Sequence, residues 1–422
     1  MIFLGLGSNC GKRRAFLTRA IDELKLIGFQ VAGISPVVES PALLKDDAKD
    51  DWNQPYLNLV LSGETDLLPH ALLKSIKTIE QDLGRDLNAA QWSPRNIDID
   101  ILLWGEEKIQ TDDLKIPHPE MHKRAFVITP LMHLAPNLVL PDINLTAFEI
   151  SQRIRPMPLW MGIVNLTPDS FSDAGEHWNI KALEAQLERW IMAGVHILDF
   201  GAESTRPDAD EISQAAEWSR LRPVFEVLDT LRKKHFLMPI ISIDTRHVET
   251  AELAFEQRAD WINDVTGLVD ADMVDLIKNK KTAAIAMHSL SVPVVKGEHL
   301  PTDASVVMQL KTWLADKTER WVAQGINTGN IIFDPGVGFG KTDLQNMQII
   351  RATADLRNQG FRLLVGHSRK SFMQSFSDAS AQNRDIETVG LSLSMCAQGV
   401  DIIRVHEPLM HIRAYRAWSH AQ

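Results

Sequence analysis

The sequence predicts two folded units in tandem, an α+β sandwich followed by an α/β barrel of the (β/α)8 kind. Three observations predict this. The stretch Ser151-Gln152-Arg153-Ile154-Arg155-Pro156-Met157-Pro158 sets two prolines between an amphipathic segment and a new apolar run, and so reads as a linker. Before it, two helical patterns are interleaved with about four strand patterns. After it, eight short β-rich runs recur with helix-like stretches between most of them. The expected layout is a first domain over 1–150, a linker over 151–158 and a barrel over 159–422.

In the first domain, residues 2–6 read as a strand and 13–27 as a helix with apolar residues at helical spacing. Residues 31–39 and 56–62 read as strands, 67–83 as a second helix, 97–104 as another strand and 123–134 as a helix. Helices packed on a largely antiparallel sheet accommodate this order. In the second domain the strand candidates are 159–165, 196–201, 240–244, 261–263, 283–288, 331–334, 363–366 and 402–406. Polar residues gather at their C-terminal ends: Asn165, Asp244, Asn263, Asp334, Ser368 with Lys370, and Arg404 with His406. A barrel carries its active site at that rim.

Composition narrows the function classes. The 422 residues hold 44 Lys+Arg against 55 Asp+Glu, a net charge of −11, which argues against a duplex nucleic-acid binder. Both halves are net acidic, so charge does not mark the boundary. Only Cys10 and Cys396 are present, which excludes a disulfide scaffold and points to a reducing compartment. No apolar run is long enough to suggest a membrane span, and Gly7-Ser8-Asn9 interrupts the first one too early for a signal peptide. A cytoplasmic location is expected.

In the first domain the most informative segment is Ile97-Asp98-Ile99-Asp100-Ile101. A period of two projects both aspartates from one face of a strand, where they are either solvated charges or a pair able to hold Mg²⁺ against nucleotide phosphates. Arg85 and Arg95 precede the pair and His118 and Arg124 follow it, supplying cations for a polyphosphate. Tyr56 and Phe126 can sandwich a flat heterocycle, and Asn58 offers donor and acceptor to its edge.

Taken in order, Leu6-Gly7-Ser8-Asn9, Tyr56-Leu57-Asn58, Glu80, Gly84-Arg85, Arg95-Asn96-Ile97-Asp98-Ile99-Asp100, Pro117-His118 and Arg124-Ala125-Phe126 resemble the hydroxymethyl-dihydropterin pyrophosphokinases over about residues 1–150. The resemblance implies a ferredoxin-like α+β fold that moves pyrophosphate from ATP to the pterin hydroxymethyl group. It implies Mg²⁺ on Asp98 and Asp100, and pterin held by Asn58 between Tyr56 and Phe126. Glu80, Arg85, Trp92, Arg95, His118 and Arg124 would attend the ATP phosphates, with Arg85 and Arg95 counted as catalytic alongside the two aspartates. The loop after Arg85 reads Asp86-Leu87-Asn88, where family members often carry further basic residues, so loop closure is expected to rest on Arg85 and Arg95. The acidic stretch over 45–51 is longer than usual for the family.

In the second domain, Met161 to Asp173 runs a strand into a loop crowded with polar residues, and Glu203-Ser204-Thr205-Arg206-Pro207 follows the second strand in the same manner. Asp334-Pro335-Gly336-Val337-Gly338-Phe339-Gly340-Lys341 follows the sixth, without the spacing of a Walker loop. Ser368-Arg369-Lys370-Ser371 and Arg404-Val405-His406 add cations suited to an anion such as pyrophosphate. Strand-end aspartates are often helix caps, but Asp244, Asn263 and Asp334 at one rim also suit an amino-pyrimidine edge.

These motifs resemble dihydropteroate synthase over about residues 158–420. The resemblance implies that 4-aminobenzoate displaces pyrophosphate from dihydropterin pyrophosphate. Asp244, Asn263, Met287, Asp334, Phe339 and Lys370 would bind the pterin, and Asn165, Arg206, Arg404 and His406 the pyrophosphate with its Mg²⁺, Asn165 as a metal ligand. Phe171, Thr205, Pro207 and Ser371 would border the aminobenzoate, where sulfonamides would compete. Lys370, Arg404 and His406 are the expected catalytic set. Asp208 stands where a glycine is common, and His367 where a hydrophobic residue is often found. The resemblance allows a homodimer through the barrel.

The sequence thus points to a bifunctional folate-synthesis enzyme with small-molecule substrates and Mg²⁺ in both domains. Two alternatives differ in class: one domain binding pterin without catalysis, and a barrel acting as a pterin-dependent methyltransferase. The presence of both metal carboxylates and Lys370 weighs against the first. The Ser368-Arg369-Lys370 and Glu203-to-Pro207 segments weigh against the second.

Overall fold

The computed structural model describes residues 1–44, 49–86, 90, 93–166, 172–173, 177–204 and 211–421. The chain divides into two compact units, Met1–Met157 and Pro158–Gln422.

The first unit opens with β1 (Ile2–Ser8), α1 (Arg13–Leu26), β2 (Gln30–Ile34), β3 (Val38–Ser40), β4 (Tyr56–Glu64), α2 (Pro69–Asp82) and β5 (Asp98–Trp104). The sheet order is β2-β4-β1-β5, with β3 also on β4, and each pairing is antiparallel. Leaving out the short β3, this is a β-α-β-β-α-β unit with β1 and β4 at its centre, the ferredoxin-like arrangement. α1 buries Leu17, Ala20, Ile21 and Leu24, a stripe at helical spacing that forms one layer with α2 against the sheet.

Two details depart from the sequence reading. The single strand expected over 31–39 is two strands. Pro36 lacks an N–H for the ladder, and Ser35 turns inward, its N–H on Val60 O at 2.9 Å and its Oγ accepting from Val60 N at 2.8 Å. The first residues of the expected linker, 151–153, belong to a helix. After α3 (Ala125–Leu134), α4 (Ala147–Arg153) starts from a Thr146–Glu149 capping box and buries Ile150 in the cluster around Ile128 and Leu131.

In the second unit the strands Leu159–Asn165, Ile197–Gly201, Ile240–Asp244, Trp261–Asp264, Ala284–Met287, Ile331–Asp334, Arg362–Val365 and Ile402–Val405 close into a barrel of eight. They pair in sequence order and in parallel, and the first meets the eighth at Leu159↔Ile402. Helices between them cover the outer face. Both strand faces are therefore buried, which is why the runs read as continuously apolar rather than alternating. Register levels the functional ends, with Gly201 beside Asp244, Asp244 beside Asn263, and Met287 beside Asp334. No helix of the described residues is long and apolar enough to cross a membrane.

Candidate active sites

In the first unit β1, β4 and β5 form the floor of a pocket of about 320 Å³. Its lining includes Gly7, Ser40, Tyr56, Asn58, Lys77, Arg85, Arg95, Asp98, Asp100, His118, Arg124 and Phe126. Asp98 and Asp100 project into it from one face of β5, while Ile99 between them is buried. Enclosure raises the Asp100 carboxyl to about 7, and the neighbouring Asp98 charge adds to the effect. Lys77 and Arg124 oppose this rise without cancelling it, and two hard oxygen donors at this spacing suit Mg²⁺.

Arg85 is aimed by carboxylates. Its Nη1 donates to Asp98 Oδ1 at 2.5 Å and to Glu80 Oε1, and Arg95 Nη1 lies 3.3 Å from Asp98 Oδ2. Glu80, which the sequence reading grouped with the phosphate ligands, faces protein partners in this structure. It is 0% exposed, accepts from Ile99 N at 2.8 Å and pairs with Lys77 at 2.8 Å. A buried carboxylate so occupied holds Arg85 and β5 in place. Lys77 is a pocket cation that the sequence reading missed.

Asn58 is 6% exposed and donates through Nδ2 to Ser40 Oγ at 3.0 Å, which turns its Oδ1 toward Gly7. A Cβ on Gly7 would lie 3.1 Å from that oxygen and 3.4 Å from the Tyr56 ring, so a bare backbone keeps this corner open. Burial, then the Arg124 charge, lowers the pKa of His118. Its Nδ1 accepts from Glu120 N at 3.3 Å, which leaves the proton on Nε2. The ring is a neutral donor rather than the cation its sequence context suggested. Arg124 lies 5.9 Å over the Phe126 ring. Asn9 ties the approach to β5, its Oδ1 accepting from Arg95 N at 2.7 Å. Trp92 lies outside the described residues.

In the barrel, Arg404 of the eighth strand is held by two carboxylates. Its Nε donates to Asp199 Oδ2 and its Nη2 to Asp244 Oδ2, each at 2.6 Å. Asp199, which the sequence reading missed, is 0% exposed and also accepts from Ser242 Oγ at 2.7 Å and Asn263 Nδ2 at 3.2 Å. Burial opposes the Arg404 charge, but Asp199 and Asp244 together raise its pKa. Burial raises Asp244 to about 7 against the pull of Arg404, and the neighbouring Asp199 charge adds to the rise.

Lys370 Nζ sits 4.3 Å over the Phe339 ring and donates to Val337 O. Burial lowers its pKa to about 8, against the pull of Asp334. Asp334 is 5% exposed, its carboxyl is raised by burial, and Oδ1 accepts from Gly336 N at 2.8 Å. Met287 is buried beside it on the fifth strand. The loop bearing Lys370 is fixed by Arg369, which grips Asp385 through two bonds of 2.8 Å, and by Arg384 donating to the carbonyls of Arg369 and Lys370. His406 Nδ1 lies 3.0 Å from Ser368 Oγ. Asn165 ends the first strand, and Ser371 opens the short turn after Lys370. His367 is buried, its Nε2 3.0 Å from Thr388 O. Phe171, Thr205, Arg206, Pro207 and Asp208 lie outside the described residues.

A pterin-sized pocket floored by paired carboxylates, and a barrel rim of Asp, Asn, Lys and Arg, define two transferase sites of the pterin-handling class. The family model of 7,8-dihydro-6-hydroxymethylpterin-pyrophosphokinase matches residues 3–136, and that of pterin-binding enzymes matches 161–406. A folate synthesis bifunctional protein of Chlamydia caviae is 35% identical over 438 residues, covering 99% of this chain and 98% of the relative. One from Arabidopsis thaliana is 30% identical over 466 residues, covering 98% and 94%. Among solved structures, dihydropteroate synthase of Xanthomonas albilineans with 4-aminobenzoic acid is 31% identical with a TM-score of 0.56, covering 63% of this chain and 93% of that one. The Anaplasma phagocytophilum synthase with bound 6-hydroxymethylpterin-monophosphate gives 31% and 0.56, covering 63% and 99%. The chain belongs to the family of bifunctional folate synthesis proteins. Its first unit is a hydroxymethyl-dihydropterin pyrophosphokinase and its second a dihydropteroate synthase.

Proposed function

We propose that the first unit holds hydroxymethyl-dihydropterin between Tyr56 and Phe126, with Asn58 Oδ1 accepting from its edge. The fixed orientation of the Asn58 amide on Ser40 supports this. ATP lies with its phosphates against Arg85, Arg95, Arg124 and the Nε2–H of His118. Asp98 and Asp100 hold Mg²⁺, which when bound neutralises phosphate charge. The pterin hydroxyl oxygen attacks the β-phosphorus of ATP, the bond to the α-phosphate oxygen breaks, AMP leaves with that electron pair and the hydroxyl proton goes to solvent. The enzyme's share is positioning and charge neutralisation, which is why arginines and carboxylates line the pocket rather than a nucleophile.

In the barrel, Asp244, Asn263, Asp334 and Lys370 hold the pterin ring between Met287 and Phe339. Asn165, Arg206, Arg404 and His406 take the pyrophosphate, and Phe171, Thr205, Pro207 and Ser371 border 4-aminobenzoate. Asn165 contributes one neutral oxygen, so a Mg²⁺ there depends chiefly on the pyrophosphate for its ligands. The bond from the pterin methylene to the pyrophosphate oxygen breaks, pyrophosphate keeps the pair, the aromatic amine attacks the methylene carbon and then loses a proton. Arg404, already oriented by Asp199 and Asp244, stabilises the leaving charge. The strand ends that set Asp244 beside Asn263 and Met287 beside Asp334, with Lys370 over Phe339 and within reach of the Asp334 and Asp244 charges, are the observation that carries this reading.

A coupled assay tests both halves. Hydroxymethyl-dihydropterin, ATP, Mg²⁺ and labelled 4-aminobenzoate are given to wild type, Asp98→Ala and Lys370→Ala, then the assay is repeated with dihydropterin pyrophosphate supplied. Asp98→Ala is expected to label dihydropteroate only from the supplied pyrophosphate, and Lys370→Ala to fail with both. Labelling by Asp98→Ala from ATP, or by Lys370→Ala from the supplied substrate, would overturn the corresponding site.

A further inference from the structure

Behind the pterin wall lies a second buried lysine. Lys341 closes the glycine-rich loop after the sixth strand and is 9% exposed. Its Nζ lies 2.7 Å from Phe339 O, 3.3 Å from His288 O and 2.9 Å from His288 Nδ1. Burial lowers the Lys341 pKa to about 7, and in its ammonium form its three N–H donors meet these three acceptors, with no carboxylate among the described residues bonded to it. Burial lowers the His288 pKa to about 3, so the ring is neutral and free to accept at Nδ1. His288 itself is 3% exposed and packs edge-on to Trp313 at 5.2 Å between centroids.

The two segments tied together are those that carry the pterin walls. His288 follows Met287 at the end of the fifth strand, and Phe339 lies on the loop after the sixth. The same loop also runs close against the His288 backbone: Gly336, at φ +66, approaches so closely that a Cβ would fall 1.9 Å from His288 O. Outside, Asn346 Oδ1 accepts from Gly338 N at 2.7 Å. We propose that Lys341 is a positioning residue for pterin recognition, its ammonium locking the Met287 and Phe339 segments at the spacing of the ring. This rests on the assignment of Met287 and Phe339 as walls of the pterin pocket.

The full-length enzyme is assayed for synthase kinetics with dihydropterin pyrophosphate and 4-aminobenzoate. Lys341→Met is expected to raise KM for dihydropterin pyrophosphate about tenfold while KM for 4-aminobenzoate stays within about threefold. His288→Leu removes the ring acceptor and is expected to shift the same KM in the same direction, whereas His288→Asn, which keeps an acceptor near Nδ1, restores it. Synthase kcat at saturating concentrations of both substrates reports that the barrel is otherwise intact. An unchanged pterin KM in Lys341→Met, or equal rises for both substrates, overturns the proposal. Where Lys341→Met does not fold, the His288→Leu and His288→Asn pair decides by the same criterion. Phe339→Ala separates the two levels of inference: an unchanged pterin KM there removes the wall assignment itself.

Discussion

Asp199 and Arg404 meet at 2.6 Å inside the barrel although 205 residues separate them in the chain. Closure makes the contact possible, because the first strand pairs with both the second and the eighth, bringing their inward faces together. Asp199 also gathers Ser242 and Asn263, so one buried carboxylate orients groups from three other strands. Asn at this position would keep the shape but set an amide N–H₂ against these donors. Asp199→Asn is expected to lower synthase kcat/KM about a hundredfold, roughly 2.7 kcal/mol, through a misaimed Arg404. Pyrophosphokinase activity should not change. Steady-state kinetics on both reactions checks this, and a synthase rate within threefold of wild type would show that Asp199 does not aim the arginine.

Asp100 links the first site to stability. Its carboxyl is raised from 3.8 to about 7 by burial and then by Asp98. The folded state therefore binds the proton more tightly than the unfolded chain does. The stability this contributes is fully present below about pH 4 and is lost as pH rises through 7. Asp100→Asn removes the charge without removing the volume. At pH 8 it is expected to stabilise the first unit by about 1–2 kcal/mol while abolishing pyrophosphoryl transfer. In thermal melts of wild type and variant the gap should narrow steadily as pH falls from 8 to 5. A variant less stable than wild type at pH 8 would refute this.

The legible part of each site was the part that obeys a period. Asp98 and Asp100 share a face because strands alternate, and the barrel's polar strand ends stand out against continuous apolar runs. The residues that orient the others were not legible. Glu80 sits in the buried stripe of α2 with Leu72, Ile76 and Ile79, where its sequence position cannot say whether it meets phosphate or arginine. Asp199 is one acid inside a strand buried at every position, and its partners come from distant strands. Lys341 closes a motif that was legible, yet two of its three acceptors belong to His288, after the fifth strand. First contacts with a ligand follow local pattern, whereas their supports follow tertiary closure.

Lys370 sets a basic limit on the synthase. Burial brings its pKa from 10.5 down to about 8, so the ammonium over Phe339 is present below that pH and lost above it. The synthase kcat/KM for dihydropterin pyrophosphate is expected to fall as pH rises through about 8. Lys370→Arg keeps its charge across this range, so its residual activity should lack the limb. Profiles from pH 6 to 10 check the point. A basic limb preserved in Lys370→Arg would assign it to another group.

Gly336 is the most constrained position of the loop that carries Phe339. Its φ is +66, a left-handed conformation that side chains other than glycine adopt at a cost. Its missing Cβ would also lie 1.9 Å from His288 O and 3.3 Å from Lys341 Nζ. The first of these is backbone, so it cannot swing aside as a flexible side chain would. Gly336→Ala must therefore push apart the two strand ends that Lys341 draws together. The expected result is a loss of about 3 kcal/mol or more in barrel stability, together with loss of synthase turnover. Gly360, also at positive φ but with nothing within 4 Å of its Cβ position, is the control that carries only the backbone term. Gly360→Ala should cost about 1 kcal/mol and leave the synthase active. Denaturant melts of the two variants separate conformational strain from the clash. Equal losses in both would mean that the close approach of Gly336 to His288 contributes nothing.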